Sequence, residues 1–241
     1  MTQPVIYTRI PGSDPQLVAE AAQHGVADLH EALGAAGGRM ALMSPRMRPL
    51  NPGLRIAGPA VTAYNYPGDN LMMHKALSMI EEGQVLVTTN GGGTQGALWG
   101  ELAATFARNR RVGGVIVHGS IRDTDVLTEM RFPVWATDIS PCHPEKGAAG
   151  AVNVPIVCDG VMVHPGDIVV ADSDGVLVIP RDRLRAAVEG ARSRKAKENE
   201  IKQKIAAGQS LFEIANMQSA LDATGIEVRE GSWAQDQAGR A

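Results

Sequence analysis

Aromatic side chains are scarce in this chain, 4% of 241 residues, too few to build a stacking platform for bases. Cysteine is scarcer. Cys142 and Cys158 form no CxxC pair, which argues against a disulfide scaffold and against a Cys-rich zinc site. No apolar stretch approaches the roughly 20 residues of a membrane-spanning helix. The opening "MTQPVIYTRI" lacks a basic stretch followed by an apolar one, so secretion is not expected and a cytoplasmic protein is. There is no excess of positive charge. The net charge of −3 leaves no electrostatic footprint for nucleic acid. Several catalytic signatures are missing too: GxGxxG, the Walker lysine, HExxH and the GxSxG elbow. A Schiff-base lysine is poorly served by Lys75, on the polar part of a helix, or by Lys146, in a Gly-rich loop.

What is abundant is small and apolar. Hydrophobic residues make up 44% and glycine 27 positions, which favours close-packed Ala/Val/Gly layers in one compact domain. "DPQLVAEAAQHG" and "GVADLHEALGAAG" read as two short helices, the first capped by Asp14 with Pro15 at its first position. "LRIAGPAVTAYNYP" predicts one or two strands. "GDNLMMHKALSMIEEG" predicts an amphipathic helix with Leu71, Met72, Leu77 and Ile80 on one side. Then "QVLVTTN" and "GGVIVHG" read as buried strands, followed by helices in "ALWGELAATFARNR" and "DTDVLTEM". This alternation argues for a parallel β/α core. From Val152 the pattern turns to β, with a hairpin turn at Ser173-Asp174-Gly175. A long charged helix ending near Gly208, a short helix "SLFEIANM" and a polar tail close the chain.

Two strand exits could carry chemistry. Gly91–Gly96, "GGGTQG", lies between a strand and a helix, where free backbone N–H groups attract a phosphate or a small carboxylate. A flexible turn explains it equally well. "HGSIRD" (118–123) sets Arg122 beside Asp123 at the end of the next strand. In a parallel sheet both loops should open onto one crevice beyond the strand ends. There Arg122 could hold an oxyanion and Asp123 a hard cation such as Mg²⁺. A surface ion pair, or Asp123 as the cap of the following helix, stands against that. Glu101, just after Gly100, suits a helix dipole and could also reach a metal through water. His74, His118, His30 and Glu31 are better read as packed or surface groups. Glu198 and Glu200 precede Lys202 and Lys204 by four residues, an ordinary solvated helix face.

The run "GGGTQGALWGELAATFARNRRVGGVIVHGSIRDTDVLTEMRFPVWA", with G-x-x-x-G-E-L, G-x-x-R-D and "VPIVCDGVMVHPGDIVVADSDGVLVIP", resembles the RraA-like family from about Val26 onward. That family contains class II aldolases acting on 4-hydroxy-4-methyl-2-oxoglutarate and 4-carboxy-4-hydroxy-2-oxoadipate, and the regulator of ribonuclease E activity. "PGDNLMMHKAL" and the long C-terminal helix look more like the aldolase branch. The resemblance implies one α/β domain over residues 1–241. Its architecture would be a swivelling β/β/α domain with a parallel β/α core, a β-rich second half and a helical C-terminus. Helices of about 181–220 would pack on a neighbouring subunit, with 222–241 as a tail. It also implies a homotrimer or hexamer with active sites between subunits, no membrane and no nucleic acid. By motif position, Asp123 would bind Mg²⁺ or Mn²⁺ directly. Glu101 and Glu198 of a neighbouring chain would hold water on the metal, although Glu200 lies only two residues from Glu198. Arg122 would contact the keto or enolate oxygen of a small 2-oxo acid. Backbone amides across Gly100, Glu101, Leu102 and Ala103 would bind its carboxylate. The expected activity is metal-dependent retro-aldol cleavage in aromatic-compound catabolism, with oxaloacetate decarboxylation as a second activity. The expected substrate is 4-carboxy-4-hydroxy-2-oxoadipate, and also the 4-methyl analogue. The alternatives are a non-catalytic regulator, or a 2-oxo acid decarboxylase without aldolase activity.

Overall fold

A computed structural model describes residues 4–234 of the chain. It divides into two compact units between Arg194 and Lys195. In the first, β1 (Val5–Ile6) leads to helices α1 (Pro15–Ala21), α2 (Val26–Ala32) and α3 (Ala35–Ala41). The Asp14 carboxylate accepts from the Gln16 N–H at 3.0 Å, so α1 starts where its cap and Pro15 put it. α3 carries no clear sequence signal: "AAGGRMA" has two glycines, which weaken a helix in isolation. A Cβ on Gly38 would stand 2.5 Å from the His30 carbonyl oxygen, so the bare glycine lets α3 lie close against α2.

After β2 (Arg48–Pro49), the parallel core begins with β3 (Ile56–Tyr64), α4 (Leu71–Met79) and β4 (Val85–Thr89). It continues through α5 (Glu101–Asn109), β5 (Gly114–Ile121), α6 (Thr124–Met130) and β6 (Val134–Ile139). β3, β4, β5 and β6 pair in that order, all parallel. One face of the sheet buries Leu86, Val115 and Val117 with Met73, Ala76 and Ala104 of the crossover helices. "LRIAGPAVTAYNYP" is thus one strand, and a long one, because it serves three partners.

Beyond β7 (Ala151–Val152) come the hairpins β8 (Ile156–Cys158) with β9 (Val161–Val163), and β10 (Ile168–Ala171) with β11 (Val176–Ile179). β10 pairs antiparallel with Ile56–Pro59, the first half of β3, while Ala60–Tyr64 pairs with β4. Ser173–Gly175 forms the expected turn between β10 and β11. The observed class is therefore the expected one, a mixed α/β fold with a parallel core and a β-rich second half. α7 (Leu184–Ala206), entered through a short 3₁₀ turn, runs from the first unit into the second. There α8 (Leu211–Ile214) is closed by a capping box between Ser210 and Glu213, and α9 (Gln218–Ala223) follows. Of the expected tail, residues 235–241 lie outside the described residues. No helix among the described residues is long and apolar enough to cross a membrane.

The segment before α5 departs from the sequence expectation. "ALWG" is not helical; α5 starts only at Glu101. The Leu98 N–H donates to the Ser120 carbonyl at 2.8 Å, and Trp99 bridges to Ile121 like a short parallel strand. The Trp99 ring is 1% exposed and stacks on Phe132. Burying a large ring and pairing a sheet edge outweigh one more turn of helix.

Candidate active site

β5 delivers Arg122 and Asp123 at its carboxyl end, one and two residues beyond the strand. Asp123 is left-handed, φ 58° and ψ 38°, a conformation Asp tolerates better than most residues. It occupies the cap position of α6, yet its side chain makes no bond to that helix. It turns the other way. One carboxylate oxygen, Oδ2, accepts the Glu101 N–H at 3.1 Å and lies 3.6 Å from Arg122 Nε. Asp123 therefore caps α5, the preceding helix, which corrects the simple reading of it as the cap of the next one. Gly100 makes this possible. A Cβ there would stand 2.6 Å from Asp123 Oδ2 and 3.1 Å from Arg122 Cγ.

The Arg122 and Asp123 side chains are 36% and 39% exposed, and an ion pair so placed contributes only about 0–1 kcal/mol to stability. Among the described residues, nothing bonds Asp123 Oδ1 or the terminal guanidinium nitrogens of Arg122. At the start of α5, Asp123 takes the Glu101 N–H, while the Leu102 and Ala103 N–H groups have no acceptor among the described residues. Gly100, Glu101, Arg122 and Asp123 thus meet at one point. Leu102 and Ala103 adjoin it through their backbone, Leu102 with its side chain 81% exposed and Ala103 with its methyl buried. The site offers two free amides for a carboxylate, a cation for an oxyanion and an open carboxylate oxygen.

Glu198 is half-buried and Glu200 exposed on the part of α7 that belongs to the second unit. Glu198 lies 3.9 Å from Lys202, the expected helical pair, whereas Glu200 and Lys204 form no ion pair among the described residues. No group of three or more His, Cys, Asp or Glu able to hold a metal occurs among the described residues. A full protein cage is therefore absent from them. Mg²⁺, however, commonly binds through one or two carboxylates and completes its shell with water and substrate oxygens. Asp123, with Glu101 beside it, fits that manner of binding.

Residues 26–178 match the family described as Aldolase/RraA, more than half of the chain. The chain belongs to the RraA-like family. Among relatives of known name, it is 33% identical over 203 residues to the protein DlpA of Legionella pneumophila. That match covers 82% of this chain but only 33% of DlpA, so this chain spans about a third of that relative. It is 37% identical over 151 residues to a Burkholderia mallei protein named "Putative 4-hydroxy-4-methyl-2-oxoglutarate aldolase", covering 63% of this chain and 90% of that one. The solved structure of Streptomyces coelicolor RraAS2, described as an unusual member of the RNase ES inhibitor RraA protein family, superposes with a TM-score of 0.73. Its identity is 27%, over 80% of this chain and 98% of the other. Gly100, Glu101, Arg122 and Asp123 lie within the span matched to the family, and Glu198 lies beyond it.

The glycine loop is a turn, one of the two readings its sequence leaves open. It is not at a helix start. Asn90 closes it, accepting the Gly93 N–H at 3.0 Å and donating to the Gly93 carbonyl at 3.1 Å. The Gly91 N–H donates to the Thr89 hydroxyl at 3.0 Å, and that hydroxyl lies 3.0 Å from His118 Nδ1. A Cβ on Gly92 would stand 2.6 Å from His118 Nε2, so this turn packs on the imidazole. The two successive loops do meet at the strand ends, where the Ser120 hydroxyl donates to the Thr94 carbonyl at 3.2 Å, and the backbone amides left without an acceptor among the described residues include those of Leu102 and Ala103 in α5. Burial holds the His118 pKa below the ordinary value, with Arg46 acting in the same direction against the opposing charges of Asp159 and Asp138. His118 is accordingly a packed neutral group near pH 7.

Asp69 gives no functional signal in the sequence, where it sits at the start of the helix predicted over "GDNLMMHKALSMIEEG". It is 3% exposed, and its carboxylate accepts N–H groups from Leu71 at 2.7 Å, Gly147 at 2.6 Å and Ala148 at 2.9 Å. It ties the 143–148 loop to the start of α4. Burial pushes its pKa up, but the three backbone bonds and the Lys146 charge outweigh that and hold it below the ordinary value. A lowered carboxylate pKa contributes stability that is complete above the ordinary value of about 4 and is lost as pH falls through the lowered one. Asp69→Asn is therefore expected to destabilise by about 1–3 kcal/mol at neutral pH. Unfolding midpoints measured from pH 7 down to pH 2 should converge for the two proteins at the acid end; a constant gap would refute the assignment.

Proposed function

We propose that this chain is a divalent-metal-dependent pyruvate aldolase, a carbon–carbon lyase. It would cleave 4-carboxy-4-hydroxy-2-oxoadipate to pyruvate and oxaloacetate, and the 4-methyl analogue to two pyruvates, in the breakdown of aromatic compounds. The observation that carries the reading is the convergence of Arg122, Asp123 and the free α5 amides around Gly100. Each part of a small 2-oxo acid would find a partner at this site. The carboxylate lies on the Leu102 and Ala103 N–H groups, favoured by the helix dipole. Mg²⁺ or Mn²⁺ would be held by Asp123, with Glu101 and Glu198 of a neighbouring subunit acting through water in a trimer or hexamer. When bound it supplies Lewis-acid polarisation of the keto oxygen.

The protein groups then account for the bond changes. The C4 hydroxyl gives its proton to water held by Glu101 and Glu198. The C3–C4 bond breaks, C4 becomes a carbonyl, and the electron pair passes through C3 to the C2 oxygen. Arg122 offsets the charge that gathers on that oxygen, and does so most strongly in the transition state. The same water, held by Glu101 and Glu198, returns that proton to C3 and gives pyruvate. Oxaloacetate decarboxylation passes through the same enolate and is expected as a second activity.

The test is pyruvate release from 4-carboxy-4-hydroxy-2-oxoadipate, coupled to lactate dehydrogenase, in Mg²⁺ and in excess EDTA. Release that EDTA abolishes is the expected result. The likeness to RraAS2 favours a second reading, a non-catalytic regulator that binds another protein. No release above background in Mg²⁺ from this substrate, the 4-methyl analogue or oxaloacetate would transfer the conclusion to that reading. Release from oxaloacetate alone would make the chain a decarboxylase.

A further inference from the structure

Thr137 of β6 touches neither Arg122 nor Asp123, yet the backbone that carries both runs through its hydroxyl. Between Val117 and Ser120, β5 advances three residues while β6 advances two, from Ala136 to Asp138. This is a β-bulge, with His118 and Gly119 set against Thr137. Gly119, at φ 150°, is buried, and its backbone groups cannot join the regular ladder. The Thr137 hydroxyl serves both of them. It accepts the Gly119 N–H at 3.0 Å and donates to the Gly119 carbonyl at 3.2 Å.

The residues after the bulge build both walls of the site. The Ser120 carbonyl accepts the Leu98 N–H at 2.8 Å, and the Arg122 N–H donates to the Trp99 carbonyl at 3.0 Å. Those two bonds fix Leu98 and Trp99, hence Gly100 and the start of α5, against Arg122 and Asp123. A slip of the strand at Gly119 would move the charged pair and the α5 amides relative to each other. Bulges beside reactive sites re-aim side chains in this way.

We infer that Thr137 is a positioning residue: its hydroxyl locks the β5 bulge in the register that sets Arg122 and Asp123 against the α5 amides. The inference rests on the aldolase reading for its kinetic test only. Thr137→Val keeps the shape and removes the hydroxyl, and Thr137→Ser keeps the hydroxyl. In Val, kcat for pyruvate release should fall about ten- to a hundredfold, the range a displacement of order 1 Å produces, with KM changed much less. Ser should recover most of it. A fall in Val that Ser fails to rescue would overturn the role of the hydroxyl, as would a Val variant with wild-type kcat. Hydrogen exchange gives a readout that needs neither substrate nor metal. Exchange across 117–123 should rise in Val and not in Ser, while β3 and β4 keep their protection. Unchanged exchange in Val would overturn the inference even if the chain proves to be no aldolase. A rise spread over the whole sheet would reduce Thr137 to an ordinary structural residue.

Discussion

Asp123→Asn should abolish turnover while leaving the fold intact. The amide has the shape of the carboxylate, tolerates the left-handed backbone, and keeps an oxygen that can accept the Glu101 N–H. What it loses is the negative charge, and with it the donor expected to hold a divalent cation. Loss of that cation removes several kcal/mol of transition-state stabilisation, so kcat should fall by at least about a thousandfold. The stability change should stay within about 1 kcal/mol, since only a half-exposed ion pair with Arg122 is given up. Mn²⁺ titration of the free protein separates the effects, because binding should weaken in the variant without any substrate present. Asp123→Ala makes the structural contrast. It also removes the α5 cap, so it should cost a further ~1 kcal/mol. An Asn variant that binds Mn²⁺ and turns over normally would remove Asp123 from the chemistry and leave it as a cap.

That double role explains why Asp123 is only half legible in the sequence. An Asp between a buried strand and a helix pattern announces a cap, and local reasoning assigns it to the helix after it. Its true partner, Glu101, belongs to the preceding β/α unit, and the turn of the side chain comes from a left-handed backbone that no spacing rule reveals. The parallel core is legible for the opposite reason. Val85–Thr89 and Gly114–Ile121 are apolar enough, and bounded sharply enough, to declare buried strands unaided. Ser173-Asp174-Gly175 and Asp14-Pro15 likewise carry their structure in local chemistry. The start of α5 is misplaced by its sequence pattern because Trp99 contributes more as a buried ring at a sheet edge than as a helical residue. Asp69 and Thr137 are invisible because their partners, Gly147 and Gly119, are backbone groups brought to them by the topology. Glu198 has a complete local explanation in Lys202, and it keeps that pairing.

Arg122→Ala should separate electrostatic stabilisation from metal binding. The Arg122 backbone is fixed by its bond to Trp99, so truncating the side chain should leave the site framework in place. Its only ion pair among the described residues is the 3.6 Å contact with Asp123, which limits the stability loss to about 1 kcal/mol. If the guanidinium offsets charge that appears only as the C3–C4 bond breaks, kcat falls about a hundred- to a thousandfold while KM moves little. Mn²⁺ should bind at least as tightly as before, because a neighbouring positive charge has been taken from Asp123. Oxaloacetate decarboxylation should fall in parallel, since the same enolate oxygen is left without its cation. Arg122→Lys should recover part of the loss, because the charge returns without the planar fork. Equal losses of turnover and Mn²⁺ affinity would mean that Arg122 merely holds Asp123 in place. A loss confined to aldol cleavage would locate Arg122 near the C4 substituent instead of the developing enolate.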